Sequence, residues 1–297
     1  MFRKRSFILT LIFVLGMLSA CNFGGENESS GEQTENQTEN TEAKEEKGGN
    51  DASSQSEESD KGDAETDEAP DTTEEDTEPA YYVSEETASI IPIDDANEDV
   101  VLLTIDDAPD NYALEMAETL QEKGVKAIFF VNGHFLEDEE GKEKLKKIHE
   151  MGFPIGNHTY SHPVLPDISE EEQTEQIVTV NDQIEEIIGE RPKFFRAPHG
   201  ANTDHTRELA RQEGMLLMNW TYGYDYFEPY EDADKLKEAM ITGEGPEVDV
   251  NYSLLKPGAN LLMHDREWTT EALGDIVDGL QDQGYEIVDP HLIETLE

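Results

Sequence analysis

His158 and His162 lie four residues apart in the run Asn157-His158-Thr159-Tyr160-Ser161-His162-Pro163, and a tandem acid, Asp106-Asp107, ends a hydrophobic stretch earlier in the chain. Two imidazoles, one carboxylate ligand and one spare carboxylate are the parts of a catalytic zinc site that carries its own base. A zinc ion with three protein ligands and an open position is the usual device for acidifying a water near neutral pH. Such a site works only if the fold brings separated segments together.

The elements that must do this are legible from Val100 onward, where short apolar runs alternate with amphipathic stretches. Strands are expected at Val100–Ile105, Lys126–Val131, Phe153–Asn157, Phe194-Phe195, Met215–Trp220, Asn260–Met263 and Tyr285–Val288. Helices are expected at 111–122 (closed by Gly124), Glu139–Glu150, Asp204–Gln212, around Ala233–Met240 and at Thr269–Gln281. Ser169 and Glu172 form a capping box ahead of a long helix whose Ile177, Val180, Ile184, Ile187 and Ile188 share one face. Continuous apolar strands alternating with helices predict a parallel sheet covered by helices. The number of units favours a barrel, with an open doubly wound sheet as the alternative. Tyr81, Tyr82 and Val83 are expected to start a strand beneath it.

Ionisable residues recur just past strand ends. Asp106-Asp107 follow the first strand, His158 and His162 the third and Arg196 the fourth; Asp225 comes shortly after Trp220, and His264 follows Met263. In a barrel those ends converge on one face, where such folds do chemistry. A single buried histidine or aspartate is more often structural, but five segments placing such groups at the same end argue for a site.

Five segments also resemble, in order, the motifs of NodB-type polysaccharide deacetylases (carbohydrate esterase family four): Thr104-Ile105-Asp106-Asp107-Ala108-Pro109, the His158–His162 run, Arg196-Ala197-Pro198-His199-Gly200, Asp225-Tyr226 and Leu262-Met263-His264. The resemblance covers the chain from about Val100 onward and implies a distorted (β/α) barrel. It implies a divalent metal, zinc first and cobalt or nickel as substitutes, held by Asp107, His158 and His162. It implies Asp106 as general base, Arg196 orienting it, His264 as general acid and Asp225 as the partner that raises the His264 pKa. His199, Leu262 and Tyr226 would line the substrate cleft, with a backbone N–H near His199 helping at the carbonyl oxygen and Leu262 facing the acetyl methyl. The substrate would be an N-acetylated sugar polymer that loses acetate. Three positions depart from the pattern. Ala108 stands where glycine is usual, His199 replaces a tyrosine, and Tyr226 replaces a tryptophan. All three bear on cleft shape rather than on ligands or the acid–base pair.

Among the remaining candidates, His134 is expected to make a loop contact, and His149, His205 and His291 to be structural or exposed. Trp268, Tyr222, Tyr224 and Phe227 lie close enough to the site to stack on sugar rings, against a default of core packing.

The ends and the charge place this domain. The chain has 297 residues and a formal net charge of -49. Residues 1–21 read as a secretion signal, with Arg3, Lys4 and Arg5 before an apolar core from Phe7 to Leu18 that is short for a membrane span. Leu18-Ser19-Ala20-Cys21 resembles a bacterial lipobox, so the sole cysteine, Cys21, is expected to be lipidated and to anchor the protein to the outer face of the cell membrane. Residues 22–80 hold 21 acidic and 3 basic side chains and almost no apolar ones. Such a segment is expected to be a disordered acidic tether. The domain at 81–297 is itself strongly acidic, which argues against nucleic acid as a partner. No protein partner is predicted. The leading expectation is a lipid-anchored, metal-dependent deacetylase of peptidoglycan or a similar N-acetylglucosamine-containing glycan. The alternatives are an anchored glycan-binding protein with little turnover and a metal amidohydrolase for a small amide.

Overall fold

The computed structural model describes residues 78–296. The expected signal peptide, Cys21 and the tether up to residue 77 lie outside the described residues. The chain enters through an antiparallel hairpin of β1 (Tyr81–Val83) and β2 (Ile90–Pro92), then forms β3 (Val100–Ala108), α1 (Ala113–Lys123), β4 (Ile128–Val131), α2 (Glu139–Glu150) and β5 (Ile155–Asn157). Next come α3 (Glu170–Ile188), β6 (Phe194–Phe195), α4 (Asp204–Gln212), β7 (Leu216–Leu217), α5 (Ala233–Thr242), β8 (Ala259–His264), α6 (Glu267–Asp282) and β9 (Glu286–Ile287).

Strands β3 to β9 form one parallel sheet in the order β7-β6-β5-β4-β3-β8, with β9 paired to the first residues of β3. Between β7 and β8 no regular strand intervenes. Instead the segment after β7 pairs irregularly with β8, through Thr221 N–H to Asn260 O at 2.8 Å and Leu262 N–H to Tyr222 O at 2.9 Å. The sheet therefore curls around into the distorted barrel that the alternation of elements predicts, not an open sheet.

Strand alternation sorts the side chains of β3 into two sets. Val101, Leu103 and Ile105 face the helix layer and pack with Met116 and Leu120 of α1 and Leu273 and Ile276 of α6. Val100 and Leu102 face the barrel interior, where Ile128, Phe130, Phe194, Met218 and Val288 join them. Tyr81 and Ile90 of the hairpin complete this interior cluster. The hairpin lies at the N-terminal ends of the strands: Ile90 N–H donates to Gly258 O just before β8, and Glu294 N–H donates to Tyr81 O. Tyr81–Val83 thus starts a strand under the barrel as expected, and Ile90–Pro92 is a partner that the sequence pattern did not reveal. Continuing up the interior face of β3 with period two come Thr104 and then Asp106, so the floor is apolar and the mouth polar.

The helices begin and end where local chemistry dictates. Ser169 and Glu172 exchange both bonds of the capping box at the start of α3. Gly124 ends α1 with φ 70, a left-handed conformation that favours glycine. The α1 N-terminus has no side-chain cap of its own. Its exposed N–H groups are met from another strand end, by Asp265.

Candidate active site

Thr104, Asp106 and Arg196 form a polar layer directly above the apolar interior. The Arg196 side chain is fully buried. Its Nη1 donates to Asp106 Oδ1 at 2.7 Å and to Thr104 Oγ1 at 2.8 Å, its Nε donates to Met218 O at 3.1 Å, and its Nη2 donates to Asn219 O at 3.2 Å. The guanidinium lies 4.3 Å from the centroid of the Phe130 ring, so it rests on the apolar floor while holding Asp106. Burial pulls the Arg196 pKa down from its usual value, and the Asp106 carboxylate opposes that. An arginine this spent on protein partners is a fixture of the site.

The loop after β5 supplies the histidines. Asn157 anchors it, accepting from Thr159 N–H at 2.8 Å and donating to Ile177 O at 2.8 Å. His158 Nδ1 is 2.7 Å from Arg196 O, a carbonyl that can only accept. Nδ1 therefore carries the proton, and Nε2 turns its lone pair toward the acids. His158 Nε2 lies 3.5 Å from Asp106 Oδ2 and 3.9 Å from Asp107 Oδ1, while His162 Nε2 lies 3.6 Å from Asp107 Oδ1. These are not ion pairs. Burial lowers the His158 pKa against the pull of Asp106 and Asp107, and burial together with neighbouring His158 takes His162 down to about 4, so both rings are neutral at pH 7.

Two neutral imidazole nitrogens and a carboxylate oxygen, all within 4.8 Å of one another, suit a borderline dication. Donors about 2.1 Å from a common ion at a tetrahedral angle sit roughly 3.4 Å apart, and Asp107 Oδ1 lies 3.6 and 3.9 Å from the two imidazole nitrogens. The donor set thus fits a zinc-type metal. Burial would raise the Asp107 pKa, but the nearby His264, His158, His162 and Arg266 outweigh it and hold the carboxyl below its usual range.

On the opposite side, Asp225 is fully buried and devoted to His264. Asp225 Oδ1 is 2.8 Å from His264 Nδ1, and Oδ2 accepts from His264 N–H at 2.6 Å and from Thr269 Oγ1 at 2.8 Å. Burial disfavours the imidazolium, yet Asp225, Asp106 and Asp107 overcome it and raise the His264 pKa to about 9. The mouth therefore presents an ionisable donor on one side and a carboxylate on the other, flanking a cluster that suits a dication. That combination can deliver and remove protons at a polarised carbonyl.

Backbone strain collects here. Asp107, Thr159, His162 and His199 have φ of 61, 69, 57 and 58, values that non-glycine residues rarely adopt and that the surrounding contacts must enforce. The turn tolerates the Cβ of Ala108: Asp107 takes the left-handed conformation, and Ala108 is buried at the end of β3.

The structure brings Asp106, Asp107, His158, His162, Arg196, Asp225 and His264 together. His199 is exposed at the rim with its ring 4.8 Å from that of His162. Tyr226 is exposed and stands edge-on to His264 at 5.7 Å. Leu262 is buried on β8. Tyr222 and Tyr224 are core residues whose hydroxyls donate to Met240 O and Gly243 O, so neither is free to stack on a ligand. Trp268 donates its indole N–H to Asp225 O, and Phe227 packs on Tyr226. His134 makes the expected loop contact, with Tyr160 O at 2.8 Å. His149, His205 and His291 lie apart from the mouth, beside Glu190, Thr174 and Asp289.

Two residues at the mouth were not foreseen. Asp265 accepts from the N–H groups of Asp110, Tyr112 and Ala113 at 2.7, 2.6 and 3.0 Å, pinning the loop after Asp107 and the start of α1. Arg266 donates through Nη2 to Asp107 Oδ2 at 2.7 Å. Both follow His264 directly, so the strand-end signal that singled out His264 extends to them.

With this geometry in place, comparison with known proteins gives a consistent result. Residues 94–218 match the family model for polysaccharide deacetylase. The chain is 31% identical over 174 residues to an uncharacterised protein, YlxY, of Bacillus subtilis, covering 59% of this chain and 50% of that one. It is 29% identical over 202 residues to a peptidoglycan-N-acetylglucosamine deacetylase of Bacillus cereus, covering 67% of this chain and 70% of that one. Among solved structures, a CE4 family pseudoenzyme from Bacillus anthracis superposes with a TM-score of 0.56 at 30% identity, covering 64% of this chain and 63% of that one. The similarity thus spans about half the length of YlxY and somewhat under two thirds of the pseudoenzyme.

Proposed function

Because this chain belongs to the NodB-type polysaccharide deacetylases, we propose that it hydrolyses N-acetyl groups on peptidoglycan or another N-acetylglucosamine-containing glycan, releasing acetate and leaving a free amine. The observation that carries this is the placement of a carboxylate, Asp106, and a high-pKa histidine, His264, around the Asp107–His158–His162 cluster. A dication held by those three residues, zinc first among them, would supply Lewis acidity at the acetyl carbonyl and acidify a water.

The rest is the work of this chain's own groups. Asp106, fixed through Oδ1 by Arg196, takes a proton from the attacking water as the new C–O bond forms. His264, oriented through Nδ1 by Asp225, gives the Nε2 proton to the sugar nitrogen as the C–N bond breaks. The departing amine is thereby neutral, and acetate carries the carboxyl carbon away. His199 and Tyr226 form the rim against which the sugar lies, and Leu262 is the apolar contact for the acetyl methyl. Purified protein incubated with N-acetylglucosamine oligomers or cell wall is expected to release acetate, to stop after chelation and to recover with added zinc. Activity that survives full metal removal would sink this mechanism.

A second reading, an anchored glycan binder without turnover, draws support from the likeness to the pseudoenzyme. Against it, each ionisable role is filled in this chain. Glycan binding with no acetate release under zinc, cobalt or nickel would decide for it.

The site of action is proposed to be outside the cell membrane, with the domain at 81–297 tethered by residues 22–80 to a lipid on Cys21. The support is the sequence Leu18-Ser19-Ala20-Cys21 behind an apolar core. Among the described residues no helix is long and apolar enough to cross a membrane. Replacing Cys21→Ala should move the protein from the membrane fraction to the soluble one, and unchanged fractionation would refute the anchor.

A further inference from the structure

The two arginines at the barrel mouth are used differently. Arg196 is sealed in and spends its donors on Asp106, Thr104 and two carbonyls. Arg266 has a side chain 37% exposed, and its recorded bonds are two, Nη2 to Asp107 Oδ2 at 2.7 Å and Nη1 to Asp265 O at 3.1 Å. A guanidinium has five N–H donors in a planar fork that matches a carboxylate, so capacity remains. Its position is also the wrong one for helix stability. Arg266 is the N-cap residue of α6, makes no capping bond, and puts a cation where the helix dipole favours an anion. Stability of the helix does not account for it.

From this we infer that Arg266 selects for a carboxylate on the glycan, so that the preferred substrate is an N-acetylated sugar chain with an acidic group at or next to the ring being deacetylated. The inference rests on the deacetylase reading and narrows its substrate class. Were Asp107, His158 and His162 to hold a dication, the Arg266 guanidinium would be held less firmly by Asp107. The fork, still tethered at Nη1 to Asp265 O, then meets an incoming anion at the rim. The acidic excess of the chain, -49 overall, disfavours an acidic glycan on average, and an exposed arginine at the mouth offsets that locally.

The test compares one N-acetylmuramic acid–containing glycan in two forms, with its lactyl carboxylate free or converted to the neutral amide. The two differ in charge and little in shape. With the zinc-loaded protein, kcat/KM for the free acid should exceed that for the amide by about tenfold, the size of one charge-assisted bond. The ratio should fall to about one in Arg266→Gln, invert in Arg266→Glu and be partly kept in Arg266→Lys. A general loss of activity through Asp107 cancels in the ratio. An acid-to-amide ratio near one in the unaltered protein, or an unchanged ratio in Arg266→Gln, would overturn the inference. The same ratio read as calorimetric Kd values needs no turnover, so it still judges Arg266 if acetate release fails and the deacetylase reading falls.

Discussion

Asp106→Asn is expected to keep the metal and lose the reaction. The substitution preserves an oxygen for the Arg196 bond but removes the carboxylate proposed to take the proton from water. General base catalysis contributes roughly 10²–10⁴-fold, so kcat/KM should drop by at least about a hundredfold, near 2.7 kcal/mol. Zinc titration should be little changed, because Asp107, His158 and His162 are intact. The variant should also be less stable, since the buried Arg196 guanidinium would face a neutral amide; breaking a buried pair costs about 3–5 kcal/mol when the partner is removed, and an amide recovers part of that. Kinetics and metal binding measured below the lowered melting temperature separate the two effects. Turnover within tenfold of the unaltered protein would remove Asp106 from its assigned role.

Asp225→Asn should move the alkaline limb of the pH–rate profile. His264 is raised from 6.5 to about 9 in the presence of its carboxylates. The protonated donor is therefore abundant at neutral pH and is lost as pH rises through about 9. The same linkage gives a stability contribution fully present below pH 6.5 and lost as pH climbs through about 9. Without the Asp225 charge, burial works against the imidazolium with less opposition. If the ring returned to its ordinary 6.5, about thirtyfold fewer molecules would hold the proton at pH 8. The loss of kcat should accordingly be larger at pH 8 than at pH 6. A uniform loss at all pH values would mean that Asp225 only shapes the site. With a dication bound, the contributions of Asp106 and Asp107 to His264 shrink, which leaves Asp225 as the dominant one.

The barrel was legible because its strands obey simple rules. The apolar run at Val100–Ile105 is a strand buried on both faces, and the helices Glu139–Glu150 and Asp204–Gln212 have the expected bounds. Where pairing partners are short, sequence pattern misleads. Met215–Trp220 reads as a six-residue strand, but only Leu216 and Leu217 pair, because Phe194 and Phe195 are all that β6 offers them. Residues 218–222 instead leave the ladder to close the barrel against β8. The grouping of the candidate site residues was legible because each is a polar residue close behind an apolar run. What supports them was harder to see. The bonds from Asn157 to α3 and from Asp265 to the start of α1 connect residues far apart in sequence, and only the folded chain reveals them. Tyr222 and Tyr224, near Asp225 in sequence, follow the default of core packing, and both hydroxyls are spent on backbone carbonyls.

The hairpin at the barrel floor fixes which end of the barrel stays open. Residue 78 enters at the end of the barrel opposite Asp106 and His264, and β8, a six-residue strand, spans about 20 Å between the two ends. The hairpin therefore closes the floor, and the mouth that carries Asp106 and His264 is left clear of it. A polymer lying across that opening would meet His199 and Tyr226 at the rim and not the hairpin.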